Sequence, residues 1–242
     1  MLWVAAGRVE GKDYMIRAVI FDFDGLILDT ETPQYQSWQE VYRHYGHELP
    51  LERWVAGIGC WDGFDPYRTL EELLGHALDR DAIRAMRKPR RNALLRALPA
   101  QPGVLDYLHD AQQMGLQVAI ASSSKRAWID PHLQRLGLTA AFPNIRCADD
   151  VQRTKPDPEV YQASLAMFGI QPDQAIALED SPNGVAAAVA AGIFCGAVPN
   201  PVTRGLNFAS ANLRIESLAD LPLAEVVRLA EERCNCLGNH SG

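Results

Sequence analysis

Ala18-Val19-Ile20-Phe21-Asp22-Phe23-Asp24-Gly25-Leu26-Ile27-Leu28-Asp29-Thr30 is the stretch whose reading decides the fold. Its first four residues are apolar without alternation, as in a strand buried on both faces of a parallel sheet. The run then ends in acid. Asp22 and Asp24 lie two residues apart just past the strand, so both carboxylates can reach a site beyond the sheet edge, and Gly25 permits a tight turn. Acids and glycines often follow strands, so this fragment alone carries little.

Three further apolar runs repeat the pattern. Leu116 to Ala121 stops at Ser122, Ser123 and Ser124; Ala175 to Leu178 stops at Glu179-Asp180; Ile193 to Val198 stops at Pro199. Helical segments separate them. Between Gly103 and Met114, Val104, Leu105, Leu108 and Ala111 fall at helical spacing, with Gly115 as the stop. Asp157 is placed to cap a helix that begins with Pro158 and ends at Gly169, and Ser181 caps an alanine-rich helix that ends at Gly192. Alternating strands and helices predict an α/β fold with a Rossmann-like, three-layer parallel sheet and chemistry at the carboxyl ends of the strands.

Residues 31 to 98 break this rhythm, with helical patterns but no comparable strand run. Gln34 to Tyr45 reads as one helix with Tyr35, Trp38, Val41, Tyr42 and Tyr45 on an apolar face. Asp79 to Leu98 reads as further helix interrupted near Pro89. The predicted organisation is an N-terminal extension over 1–14, a core over 15–30 and 99–242, and a helical domain over 31–98 inserted after the first strand. Met15 stands just before that strand, so 1–14 read as an upstream start or a leader.

Bulk properties narrow the partners. A formal net charge of -7 over 242 residues argues against broad binding to nucleic acid or anionic membrane, since both require surplus Lys and Arg. A small partner fits, even an anionic one, provided a local cation neutralises the site. Five scattered cysteines do not suit a disulfide framework and fit a reducing cytoplasm. Cys234-x-Cys236 has no second pair at ligand spacing, and reads as a frayed tail. The apolar stretch Leu2 to Ala6 is too short for a signal peptide, and no run reaches membrane-span length. His44, His47, His76, His109 and His132 show no ligand spacing.

Four motifs in order, Asp22-x-Asp24-Gly25-x-x-x-Asp29-Thr30, Ser122 closing the second strand, Lys155-Pro156-Asp157-Pro158, and Leu178-Glu179-Asp180-Ser181, make the chain resemble the haloacid dehalogenase superfamily, in its β-phosphoglucomutase-like branch of phosphatases and phosphomutases. The resemblance covers Met15 to about residue 220. It implies an Mg²⁺-dependent phosphatase acting on a small phosphorylated metabolite through an aspartyl phosphate; a monomer or weak homodimer is expected, though the sequence itself leaves the oligomeric state open. By the same resemblance Asp22 is nucleophile and metal ligand, Asp24 gives the metal its backbone carbonyl, and Asp180 gives a carboxylate with Glu179 beside it. Lys155 is then a fixed charge near Asp22, its rival reading a solvated surface lysine. Ser122 is a hydroxyl donor to the phosphoryl group, compatible with capping a helix. Thr30, Ser123, Ser124 and Lys125 are further phosphate contacts. Asp24 is the general acid and base, or merely braces the loop; dehalogenase relatives lack a second aspartate there, so Asp24 points to phosphoryl transfer.

The chemistry explains the gathering of these groups. A phosphate ester is anionic and repels an attacking carboxylate, so positive charge must offset the repulsion and stabilise the transition state. The insertion resembles the family's cap, which closes over the site and selects the leaving group. Where mutase relatives present a cap arginine shortly after a glycine, this chain has Gly57-Ile58-Gly59-Cys60-Trp61-Asp62, and a mutase histidine is replaced by Gln34. Both departures favour plain hydrolysis, with Gly57 and Trp61 as cap contacts to substrate, Trp61 otherwise packing the cap on the core. Arg84, Arg87, Lys88, Arg90 and Arg91 could attract a phosphorylated substrate, but read rather as a solvated helix face. A phosphomutase and a non-catalytic binding protein are the rival functions.

Overall fold

The computed structural model describes residues 15–55 and 64–238, and of 234–238 the helical backbone alone. Residues 1–14, Gly57 and Trp61 therefore lie outside the described residues, as do the side chains of Cys234 and Cys236. The predicted strand forms as β1 (Ala18–Phe21) and pairs in parallel with β2 (Gln117–Ala121) on one side and β4 (Ala175–Glu179) on the other. With β3 (Asn144–Arg146), β5 (Phe194–Ala197) and β6 (Leu213–Arg214) the sheet has six strands in the order β3-β2-β1-β4-β5-β6. Every pairing is parallel. The order reverses between β1 and β4, the crevice where open α/β sheets bind ligands.

Burial of the whole of β1 explains its unbroken apolar run, because alternate residues serve opposite layers. Val19 and Phe21 join Ile120, Ile176 and Leu178 in a cluster with Val104, Tyr107 and Val226, from α5 (Val104–Gln113) and α9 (Leu223–Gly238). Ala18 and Ile20 join Ala119, Ala121, Ala175 and Ala177 against Val160, Tyr161 and Val185, from α7 (Glu159–Phe168) and α8 (Pro182–Ala190). Each large apolar side chain so buried stabilises the fold by about 1.5–3 kcal/mol. α6 (Arg126–Leu136) follows β2 and buries Ile129 and Leu133.

The residues between β1 and α5 form α1 (Glu31–His44), α2 (Leu51–Val55), α3 (Pro66–Leu74) and α4 (Arg80–Ala97), with no strand among those described. They hold a cluster of their own: Trp38, Val41, Tyr42, Leu49, Leu70 and Ile83. The expected break at Pro89 is absent, and α4 runs through it. Proline there gives up one hydrogen bond and crowds the preceding turn. Contacts to α1 hold the helix on either side, from Arg87 Nη1 to Gln34 Oε1 (2.8 Å) and from Arg90 Nε to Glu40 Oε1 (2.9 Å). α7 likewise starts at Glu159 rather than Pro158, although Asp157 Oδ1 accepts the Glu159 N–H at 3.1 Å as a cap would. Ser181 Oγ caps α8 as expected, accepting the Gly184 N–H at 3.2 Å.

Candidate active site

Register brings the motifs together. Phe21 is level with both Ile120 and Leu178, so Asp22, Ala121 and Glu179 emerge at the same height and Asp180 and Ser122 one step beyond. The Asp22 N–H continues the ladder to Leu178 O at 2.9 Å. Asp22, Glu179 and Asp180 each offer a carboxylate oxygen within 4.8 Å of one another, and all three are buried.

Lys155 reaches this cluster from the loop before α7. Its Nζ lies 2.6 Å from Asp22 Oδ1 and 2.6 Å from Glu179 Oε1, and donates to Ala121 O at 2.7 Å. Its side chain is 6% exposed, which overturns the reading of a solvated surface lysine. Burial works to lower its pKa, but Asp22 and Glu179 outweigh it and hold the ammonium charged. One cation does not balance three carboxylates. Burial pushes Asp22 up to about 8 against the pull of Lys155, helped by Glu179 and Asp24. Burial first, then Asp22 and Glu179, push Asp180 well above the carboxylate range. Such an under-compensated set of oxygens suits a hard cation.

Other contacts place the acids. Gly25 turns the loop at φ 81°, and a Cβ there would lie 1.9 Å from Asp180 Oδ2. Asn200 Nδ2 donates to the same Oδ2 at 2.7 Å, while its Oδ1 accepts the N–H groups of Val202 (2.9 Å) and Thr203 (3.0 Å). Glu179 is fully buried, receives the Tyr161 hydroxyl, and leaves Oε2 without a hydrogen-bond partner among the described residues.

Above the cluster opens a cavity of about 680 Å³, lined by Asp22, Asp24, Thr30, Ser122, Ser123, Ser124, Lys155 and Asp180 from the expected set. Ser122 Oγ accepts the Ser124 N–H at 3.0 Å, leaving its own hydrogen to donate. Lys125 is exposed and does not line the cavity; its backbone caps α6. Glu179 lies behind the cavity wall rather than in it.

The remaining lining includes residues that the sequence alone did not place in the site. Glu31 and Gln34 come from α1, Arg91 from α4 and Trp128 from α6. Burial, then Asp24 and Asp29, push Glu31 up to about 7. Trp128 Nε1 donates to Asp24 Oδ1 at 2.8 Å, and Ser124 Oγ to Asp24 Oδ2 at 2.6 Å. The basic cluster is thus not uniformly a solvated face. Arg87 stacks on Trp38 at 4.7 Å, and Arg91 lies over the Trp128 ring at 5.4 Å, facing the cavity. Helical spacing could have flagged Gln34, Arg87 and Arg91. Nothing local pairs Trp128 with Asp24, 104 residues away.

Fold and site together define a class: a Rossmann-like α/β protein whose strand-end carboxylates converge on a buried lysine, under a helical insertion that shares the cavity wall. A family model for haloacid dehalogenase-like hydrolases matches residues 19–198, and the chain belongs to that family. The Bacillus subtilis (strain 168) protein YhcW, provisionally named a phosphatase, is 43% identical over 210 residues, 87% of this chain and 96% of that one. Fructose-1-phosphate phosphatase YqaB of Escherichia coli (strain K12) is 33% identical over 181 residues, 72% of this chain and 92% of that one. A Thermotoga maritima crystal structure, provisionally described as β-phosphoglucomutase, superposes with a TM-score of 0.69 at 26% identity, covering 90% and 99% of the two chains. The chain is a phosphatase of the β-phosphoglucomutase-like branch. No helix among the described residues is long and apolar enough to cross a membrane.

Proposed function

We propose that the enzyme hydrolyses small phosphate monoesters, sugar phosphates in particular, in two steps through an aspartyl phosphate on Asp22, with Mg²⁺ as cofactor. The observation that carries this reading is the contact of Lys155 Nζ with Asp22 Oδ1 at 2.6 Å beside Asp180. Asp22 and Asp180 would hold the ion with their carboxylates and Asp24 with its backbone carbonyl, Glu179 standing beside Asp180. When bound, the ion supplies positive charge that offsets the repulsion between a carboxylate and a phosphate dianion.

The chain's own groups do the rest. Lys155 orients Asp22 and adds charge that its burial leaves little screened by solvent. Asp22 attacks phosphorus, and Ser122, with a hydrogen to donate, holds an equatorial oxygen. Ser123, Ser124 and Thr30 line the same cavity and are read as further phosphate contacts. Asp24 protonates the leaving oxygen and later takes a proton from the water that attacks the intermediate. Residues 31–98 act as the cap, with Gln34, Glu31 and Arg91 facing the leaving group. Gln34 stands where the mutase relatives carry histidine, which favours hydrolysis over phosphate migration, and the 33% identity to a fructose-1-phosphate phosphatase supports a sugar leaving group.

The test is phosphate release from a panel of sugar monophosphates with Mg²⁺ and with chelator, scored also for isomer formation. Magnesium-dependent release without isomer is expected. Isomer formation outpacing release would make the enzyme a mutase, and unchanged release with chelator would remove the metal from the reading.

A further inference from the structure

We propose that Trp128 is a positioning residue for Asp24, whose indole N–H fixes Oδ1 as a permanent acceptor and so confines the transferable proton to Oδ2. The inference rests on the reading of Asp24 as general acid and base and deepens it. Both oxygens of Asp24 are engaged, Oδ1 by Trp128 Nε1 at 2.8 Å and Oδ2 by Ser124 Oγ at 2.6 Å. The two donors differ in kind. An indole N–H can only donate, whereas a hydroxyl turns and accepts as readily as it donates. A proton on Oδ1 would turn that oxygen into a hydroxyl, a poorer acceptor, and weaken the bond from the indole. A proton on Oδ2 costs nothing of the kind, because Ser124 can turn away or accept.

The proton inventory then closes on one oxygen. As Asp22 bonds to phosphorus and the ester P–O bond breaks, the Oδ2 proton passes to the leaving oxygen and its electron pair stays on Oδ2. In the second step Oδ2 takes a proton from the attacking water, as that oxygen bonds to phosphorus and the bond to Asp22 breaks. The carboxylate ends as it began, and Oδ1 never leaves the indole.

The indole is itself held across the junction of core and helical insertion. His132 packs edge-on to it at 4.5 Å, and Arg91 of α4 lies 5.4 Å from its ring centre. Trp128 is half-buried and lines the cavity, so its ring also forms part of the wall that excludes water from the acid.

Leaving-group dependence separates positioning of an acid from a merely structural role. A sugar alkoxide needs a proton to leave, whereas p-nitrophenolate does not, and kcat/KM reports the steps through departure of the leaving group. Trp128→Phe keeps the ring against Arg91 and His132 and removes the N–H. It is expected to lower kcat/KM for fructose 1-phosphate by about tenfold or more, and for p-nitrophenyl phosphate by less than about threefold. Asp24→Asn should show the same discrimination, more steeply. Equal losses on the two esters with Trp128→Phe, or none, overturn the proposal. If Asp24→Asn itself fails to discriminate, the acid reading falls and this inference with it, which distinguishes the two failures. Should Trp128→Phe not fold, benzothienylalanine at 128, with sulfur in place of N–H in a ring of the same shape, carries the same two expected outcomes.

Discussion

Asp22→Asn keeps the shape of the nucleophile and removes its attacking charge, so at the scale of single side chains it should abolish phosphate release while leaving the unfolding midpoint near wild type, measured by calorimetry. Wild-type release would take Asp22 out of the nucleophile role. Asp24→Asn should slow turnover by about two to four powers of ten, and a loss under threefold would restore the bracing role. Asn200 gives a further prediction. Its Oδ1 is committed to two backbone N–H groups, so its amide must face Asp180 Oδ2. Asn200→Ala should weaken Mg²⁺ binding by about 10–100-fold, as loss of groups that orient a ligand does, read by titration calorimetry without substrate. Asp22, Asp24, Ser122, Lys155 and Asp180 were legible because each sits in a short motif, Lys155 in the loop before α7 and the others at strand ends. Trp128 and Asn200 were not, since each acts on a residue of another segment and belongs to no local pattern; helical spacing marks Arg91 but not the Trp128 ring it meets.

At the scale of elements, the long apolar runs announced β1, β2, β4 and β5. β3 and β6, with three and two residues at one edge and the other, are too short for periodicity to register. Their pairing comes from neighbours already in place. Pro89 shows the same limit from the other side, because local sterics predict a break that packing against α1 overrides. Pro89→Ala should therefore stabilise the enzyme by about 1–3 kcal/mol, by restoring a helix hydrogen bond; a lowered midpoint in thermal denaturation would show that the proline is favourable where it stands. Gly25→Ala is the opposite case. At φ 81° a side chain is strained, and its Cβ would collide with Asp180 Oδ2, so activity should fall with the fold only partly destabilised, by about 1–3 kcal/mol.

For the whole molecule, the buried Asp22 and Asp180 and the partly buried Glu31 set a pH dependence of known sign. Glu31 is held up at about 7 and Asp22 at about 8, chiefly by burial, and Asp180 is raised with them. In the unfolded chain these carboxyls ionise near pH 4. The stability they contribute is fully present below that pH and is lost as pH rises through the folded values, because the unfolded state releases its protons first. The metal-free protein should thus melt at a lower temperature at pH 8 than at pH 5. Mg²⁺ should raise the midpoint more at pH 8, since the ion binds ionised ligands. Glu31→Gln should gain stability over wild type at pH 8, by about 1–3 kcal/mol, and less at pH 5. An unchanged midpoint from pH 5 to pH 8 in chelator would contradict the burial of these charges.

The sequence by itself determined the parallel α/β core, the helical insertion and the acids at two strand ends, since strand burial, helix caps and short polar motifs are written in contiguous residues. Only the tertiary structure decided which oxygen of Asp24 meets Trp128, that Asn200 holds Asp180, and that Arg91 leaves the solvated face for the cavity. The first joins side chains 104 residues apart, the second joins the loops after β4 and β5, and the third joins the insertion to the core. They exist only once the sheet register and the packing of α4 against α1 have fixed where each side chain can reach.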